Sequence, residues 1–461
     1  MVKNKAKYSG SKKIFIKNID FVIFCAIIKV SLPEYAIGFD KGKQMKLEDR
    51  LFLEALRASL INEKVNWNFE ISMETWQAIF ALAEAHKVLP LIFEAVYACP
   101  AVKCADEKFF SVMKRRCVSI MVLQIQKTAE FLKLYQHMQQ QGMQPLVVKG
   151  IICRQLYPIP DLRVSADEDL LTEEHLFAET VEMLQAYGMK MVDEPTEIEK
   201  ADEIGFLSEN SVSYIELHKH LFSKTSEAYG DLNRYFKDAF SNCISLKVQG
   251  QEIKTLEPGT HLFYLICHAF KHFLHSGFGI RQVCDIVLFA NKYGEQIDWQ
   301  SMLRLCGEIR AGKFAAALFK IGKNYLNFDE EKACYPKEWR DIEVDEKNLL
   351  LELLGSGIYG GTTMSRRHSS NMTLEAVAAQ NRGEKASNAV MKTLFPSVKS
   401  LEGKYHYLQK RPYLLPVAWS ERLLKYHKEI SSMKDNDAIE AVRIGNQRIE
   451  LLKQYGILER S

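Results

Sequence analysis

Between Pro145 and Leu217 the hydrophobic pattern of this chain changes period, and that change limits what it can fold into. Upstream, residues 46–61, 73–85 and 88–98 carry apolar side chains at helical spacing. Residues 106–141 continue the pattern with no internal Gly or Pro, until Gly142. Short β-branched and apolar runs follow at Pro145–Val148, Asp167–Thr172, Met189–Val192, Ile204–Leu207 and Val212–Leu217. Helices are expected between the first three of them, over Gly150–Tyr157 and Glu173–Tyr187. After Pro258-Gly259, helical spacing resumes over 260–274, 279–293, 299–305 and 313–324. This order predicts an α+β protein, with a mixed sheet of about five strands flanked by helical regions. The expected divisions are a helical N-terminal domain at 45–141, a sheet-bearing core at 142–255 and a helical C-terminal domain at 256–461. Gly355–Gly361 reads as a flexible joint and Ser365–Asn371 as a mobile loop.

With 47% apolar and 26% charged residues, the 461-residue chain is globular rather than disordered. Its 61 basic and 58 acidic residues argue against a general nucleic-acid binder, which carries a strong basic excess. The small excess is concentrated at the start, where residues 1–44 hold nine Lys and three acids. The apolar stretch Ile14–Val30 is broken by Lys17, Asp20 and Lys29. Its clean run, Phe21–Ile28, is far shorter than the ~20 residues a spanning helix needs. No small-x-small cleavage site follows it. Residues 1–44 are therefore expected to be a basic, apolar extension upstream of the true start, and the rest to be cytoplasmic with no membrane span. Ten cysteines without a C-x-x-C pair read as free thiols in a reducing compartment.

Chemistry concentrates in Leu146–Leu171. Strand residues at i and i+2 share a face, so Asp167 and Asp169 project together and Glu168 points to the other side. Two such carboxylates repel unless a cation lies between them, and hard oxygen ligands at this spacing suit Mg²⁺ or Mn²⁺. Glu168, on the back of the sheet, needs either an open face or a partner. Upstream, a strand ends at Lys149 and Gly150 opens a helix, whose N–H groups and the lysine charge could receive a phosphate. Downstream, Tyr214–His218 puts Glu216 and His218 on one strand face, with Glu216 available as a third carboxylate. His268, His272 and His275 fall at i, i+4 and i+7. That spacing allows zinc, a substrate-facing role or simple packing, and it lacks the glutamate of a metalloprotease. Residues 161–203 hold 14 acids and three bases, whereas 364–430 hold 12 bases and five acids, a candidate surface for an anionic ligand.

Taken together, Lys149-Gly150, Tyr157-Pro158, Arg163 and the Asp167-x-Asp169 pair resemble the bacterial uncharacterised nucleotidyltransferases. That family falls within the superfamily with the DNA polymerase β-like fold. The likeness extends through Ala85–Val88, Leu265–His272, Asp285-Ile286, Leu394–Pro396 and Pro412–Pro416, over about residues 46–430. Two features depart from the superfamily pattern: Ile151 where Gly-Ser is usual, and an acidic middle residue in the Asp pair. The resemblance implies transfer of an NMP group from an NTP to a hydroxyl of an unidentified acceptor, in line and with metal. Asp167, Asp169 and Glu216 would hold the metal, and Lys149, Gly150, Arg163 and Ser165 the phosphates. His218, His268 and His272 would face substrate. The acceptor would be a small molecule, glycan or protein, and less readily tRNA. Arg163-x-Ser165-x-Asp167-x-Asp169 also resembles the abortive-infection toxins, which gives a tRNA-modifying alternative. A non-catalytic scaffold on the same fold is the other.

Overall fold

The computed structural model describes residues 45–461 except 193–194, 196, 210–211, 225, 276, 357–363, 385–397, 399–400, 402–404, 406, 422–437 and 460–461. Residues 45–461 form one compact unit. The 1–44 extension, most of the glycine joint and the Leu394–Pro396 match lie outside the described residues.

Four helices come first: α1 (Leu47–Ser59), α2 (Met73–Ala85), α3 (Leu89–Val96) and α4 (Glu107–Gln140). Asp106 caps α4 by accepting from the Phe109 N–H at 3.0 Å. Gly142 ends it at φ +81°, a left-handed turn that glycine adopts without penalty. The sheet comprises β1 (Leu146–Val148), β2 (Glu168–Leu171), β3 (Lys190–Met191), β4 (Glu203–Leu207) and β5 (Tyr214–His218), in the spatial order β1-β2-β5-β4-β3. Only β2 and β5 run parallel; the other neighbours are antiparallel. Between β1 and β2 lies the short helix α5 (Gly150–Arg154), and α6 (Phe177–Ala186) precedes β3.

Alternation assigns the two faces of the sheet. Val147, Leu170, Ile204, Phe206, Ile215 and Leu217 join one apolar core with Phe131, Tyr135 and Met138 of α4 and Phe177 and Leu184 of α6. The other face carries Asp169, Glu203, Glu216 and His218, and α7 (Pro258–Leu274) lies against it through His261 and His268. Glu257 caps α7 by accepting from the Gly259 and Thr260 N–H groups, and Pro258 sits where a missing N–H costs nothing.

A hairpin of β6 (Ile244–Val248) and β7 (Gln251–Thr255) adds a second, two-stranded sheet that the sequence analysis did not anticipate. Ile244, Leu246 and Val248 alternate with the exposed Ser245 and Lys247, so the strand signal of β6 is present in the sequence. Helices continue as α8 (Ile280–Tyr293), α9 (Trp299–Glu308), α10 (Gly312–Tyr325), α11 (Glu346–Ser356), α12 (Met364–Asn381) and α13 (Ala438–Gln454). The expected loop at Ser365–Asn371 is a correction: it lies within α12. Its polar sequence hid a helix that docks on α7 through Thr373, whose hydroxyl donates to the Leu274 carbonyl at 2.8 Å. No helix among the described residues is long and apolar enough to cross a membrane.

Candidate metal and nucleotide site

Parallel pairing of β2 with β5 sets Asp169 beside Glu216, and His218 follows two residues on along the same face. One ligand atom from each of these three side chains lies within 4.8 Å of the other two. His218 Nε2 is 3.2 Å from Asp169 Oδ1 and 3.7 Å from Glu216 Oε2. Its Nδ1 is 3.5 Å from Glu203 Oε2. Asp167 stands just ahead of β2, half-buried, and lends its charge to Lys149, Lys127 and Arg281.

Lys149 occupies a sharp turn between β1 and α5, at φ +52° and ψ −122°, where a side chain is strained. His261 holds this backbone. The Lys149 N–H donates to His261 Nε2 at 3.3 Å, and His261 Nδ1 lies 3.3 Å from Thr255 Oγ1. Thr255 spends its own proton on the Val147 carbonyl at 2.6 Å, so it accepts from Nδ1–H. Burial keeps His261 neutral, down to about 3, as this chain of bonds requires. The Lys149 ammonium lies 3.0 Å from Asp169 Oδ1 and 3.2 Å from His268 Nε2, and His272 Nε2 is 3.2 Å from His268 Nε2. The helix thus brings His268 beside Lys149 and His272 beside His268.

The remaining expected phosphate ligands are turned elsewhere. The Ile151 N–H at the start of α5 donates to Glu168 Oε2 at 2.6 Å, so a carboxylate already caps the helix end expected to cradle phosphate. Gly150 makes room for that carboxylate: a Cβ there would fall 2.0 Å from Glu168 Oε2. Glu168 also pairs with the buried Arg154 at 2.5 Å, and Ser165 bridges Arg154 to Glu168. Arg163 is buried against Asp285, donating from Nη2 at 2.6 Å and Nε at 3.1 Å, and Tyr157 donates to the same carboxylate at 2.8 Å. Arg163 and Ser165 therefore hold the loop ahead of β2 in place. Sequence reasoning missed His261, Arg154 and Lys271 of α7. Lys271 follows His268 by three residues, and this helical spacing was the signal that could have found it.

Charge explains the protonation states. Burial works against charge on Lys149, but Asp169, Tyr264 and Asp167 together outweigh it and hold the ammonium well above its ordinary value. Asp169 is likewise opposed by burial, yet Lys149 and His218 bring it down to about 2. Burial would lower His218; its hydrogen bonds to Asp169 and Glu216 prevail and raise it to about 9. His268 is held well below its ordinary value by burial and by the Lys149 charge, so it accepts from the ammonium. A testable consequence follows for the metal-free protein. The His218 imidazole should titrate near pH 9 by NMR and move downward in Asp169→Asn, because the carboxylate that favours the imidazolium is gone.

The residues present fit a divalent cation. Asp169 Oδ2 is buried without a hydrogen-bond partner, an expensive state for a carboxylate oxygen unless a ligand meets it. The donor set is two carboxylates and one imidazole, and His218 must shed its proton to join it.

These features define an α+β protein whose sheet presents an acidic, histidine-bearing face to a lysine-bearing turn. The family model described as uncharacterised nucleotidyltransferase matches residues 72–327, and the chain belongs to that family. No curated protein and no solved structure matches it significantly.

Proposed function

We propose that the chain is a divalent-metal-dependent nucleotidyltransferase that moves an NMP group from an NTP to an acceptor hydroxyl. Family membership supports nucleotidyl transfer. The observation that carries the metal reading is the register pair Asp169 and Glu216, together with the partnerless, buried Asp169 Oδ2. Asp169, Glu216 and His218 would hold the ion, with Asp167 at the margin. When bound, Mg²⁺ or Mn²⁺ neutralises phosphate charge and favours in-line displacement; the imidazole tilts the preference toward Mn²⁺. Lys149 meets phosphate by exchanging Asp169 for the ligand. The acceptor oxygen then bonds to the α-phosphorus and pyrophosphate leaves. The hydroxyl proton departs on the side of Glu216, which is only half-buried.

The acceptor is read as a small molecule, glycan or protein. Nine described cysteines without a disulfide support a reducing, cytoplasmic setting. The strand-turn-helix and the Asp pair support a place in the DNA polymerase β-like superfamily. The three divisions at 45–141, 142–255 and 256–461 are kept as the working domain scheme.

The test uses the whole chain with each labelled NTP, Mg²⁺ or Mn²⁺, and cell extract. Label should pass to one extract fraction. Calorimetry that finds no binding of any of the four NTPs with either ion would overturn the reading.

A further inference from the structure

The cations around the carboxylate face are nearly all committed. Arg154 is paired with Glu168 and Arg163 with Asp285. Lys127 donates to the Ser165 and Ala166 carbonyls, and Arg281 to that of Val164. Lys149 is divided between Asp169 and His268. Lys271 is different. It is half-buried on α7, three residues beyond His268 and thus its neighbour on the same helical face. Its ammonium makes no hydrogen bond and no ion pair within 4 Å among the described residues. It is nonetheless within electrostatic reach of Glu203, Glu216 and Asp169, and of Lys149. Burial opposes its charge and pulls its pKa below the ordinary lysine value.

A half-buried lysine whose ammonium has three donors and no acceptor among the described residues is poorly paired. It gains most from a ligand that brings oxygens to it. The carboxylates it faces are the groups proposed to hold the metal, so that ligand must bridge a metal and a lysine. A polyphosphate does so, with anionic oxygens for both.

We propose that Lys271 binds the β- and γ-phosphates of the nucleotide, the part of the donor that leaves as pyrophosphate. This rests on the transferase reading above. It moves the main phosphate contact from the β1–α5 turn, whose helix end is capped by Glu168, to the face of α7.

The test compares wild type, Lys271→Met and Lys271→Arg by calorimetry, in Mn²⁺, with a non-hydrolysable NTP and with the matching NMP. Lys271→Met should weaken NTP binding by about ten- to hundredfold, the worth of a charge-assisted bond. NMP binding should be unchanged, and Lys271→Arg should recover most of the NTP affinity. An unchanged melting temperature in Lys271→Met assigns the loss to binding. Wild-type NTP affinity in Lys271→Met, or equal loss of NTP and NMP, overturns the assignment and leaves the transferase reading standing. A wild-type protein that binds no NTP overturns both.

Discussion

Asp169→Asn is expected to lower nucleotidyl transfer by at least ~10³-fold and to abolish metal binding. On the proposed reading a bound ion would lower the barrier by several kcal/mol, and each 1.36 kcal/mol is tenfold in rate. The substitution keeps the shape of the side chain and removes the charge that holds the partnerless oxygen ready for a cation. It should also cost stability, about 1.5–3 kcal/mol, because the same carboxylate anchors Lys149 and His218. This revises what the sequence suggests. Two neighbouring aspartates read as a repulsive pair that needs a cation, but two cationic side chains already stand beside Asp169. Asp167→Asn is the contrasting variant, since Asp167 is half-buried and lies outside the strand. Rates and urea unfolding on both proteins separate the two effects. An Asp169→Asn protein that turns over at the wild-type rate would rule out the metal role.

The second large effect falls on the opposite side of the sheet. Glu168→Ala should destabilise the protein by about 3–5 kcal/mol, because it leaves the Arg154 guanidinium buried without its counter-charge. It also removes the acceptor of the Ile151 N–H. Replacing both partners, as in Arg154→Leu with Glu168→Met, should recover much of that loss, since no unpaired charge remains. Urea midpoints of the single and double variants measure it. A single variant within about 1 kcal/mol of wild type would mean that Arg154 finds another partner.

The strand positions were legible from their short apolar runs, but β2 is buried on both faces and begins at Glu168, so Asp167 stands outside the alternation read for it. Glu168 was correctly read as pointing backward and in need of a partner. That the partner is Arg154 was not legible, since Arg154 sits on a five-residue helix with no periodicity of its own. Glu216 and His218 could be placed on one strand face because their strand carries an apolar alternation. Their closeness to Asp169 depends on the parallel register of β2 and β5, which sequence spacing cannot fix. Gly150 was read as space for phosphate, and only the fold shows that Glu168 fills that space. Arg163 looked available because its partner, Asp285, lies more than a hundred residues away. The first half of α12 escaped because Ser365–Asn371 is polar, although Ser369 and Ser370 are buried, whereas the alternation of Ile244, Leu246 and Val248 in β6 was legible and was passed over.

One helix grips Lys149 at both ends. His261 fixes the backbone nitrogen of the residue and His268 receives its ammonium, and both histidines belong to α7. A chain cut after Thr255 would retain Asp167, Asp169 and Glu216, yet it would lose the clamp that keeps the turn in its disfavoured conformation. A piece that keeps this clamp must run at least through His268, so the site draws on more of the chain than the sheet that carries its acids.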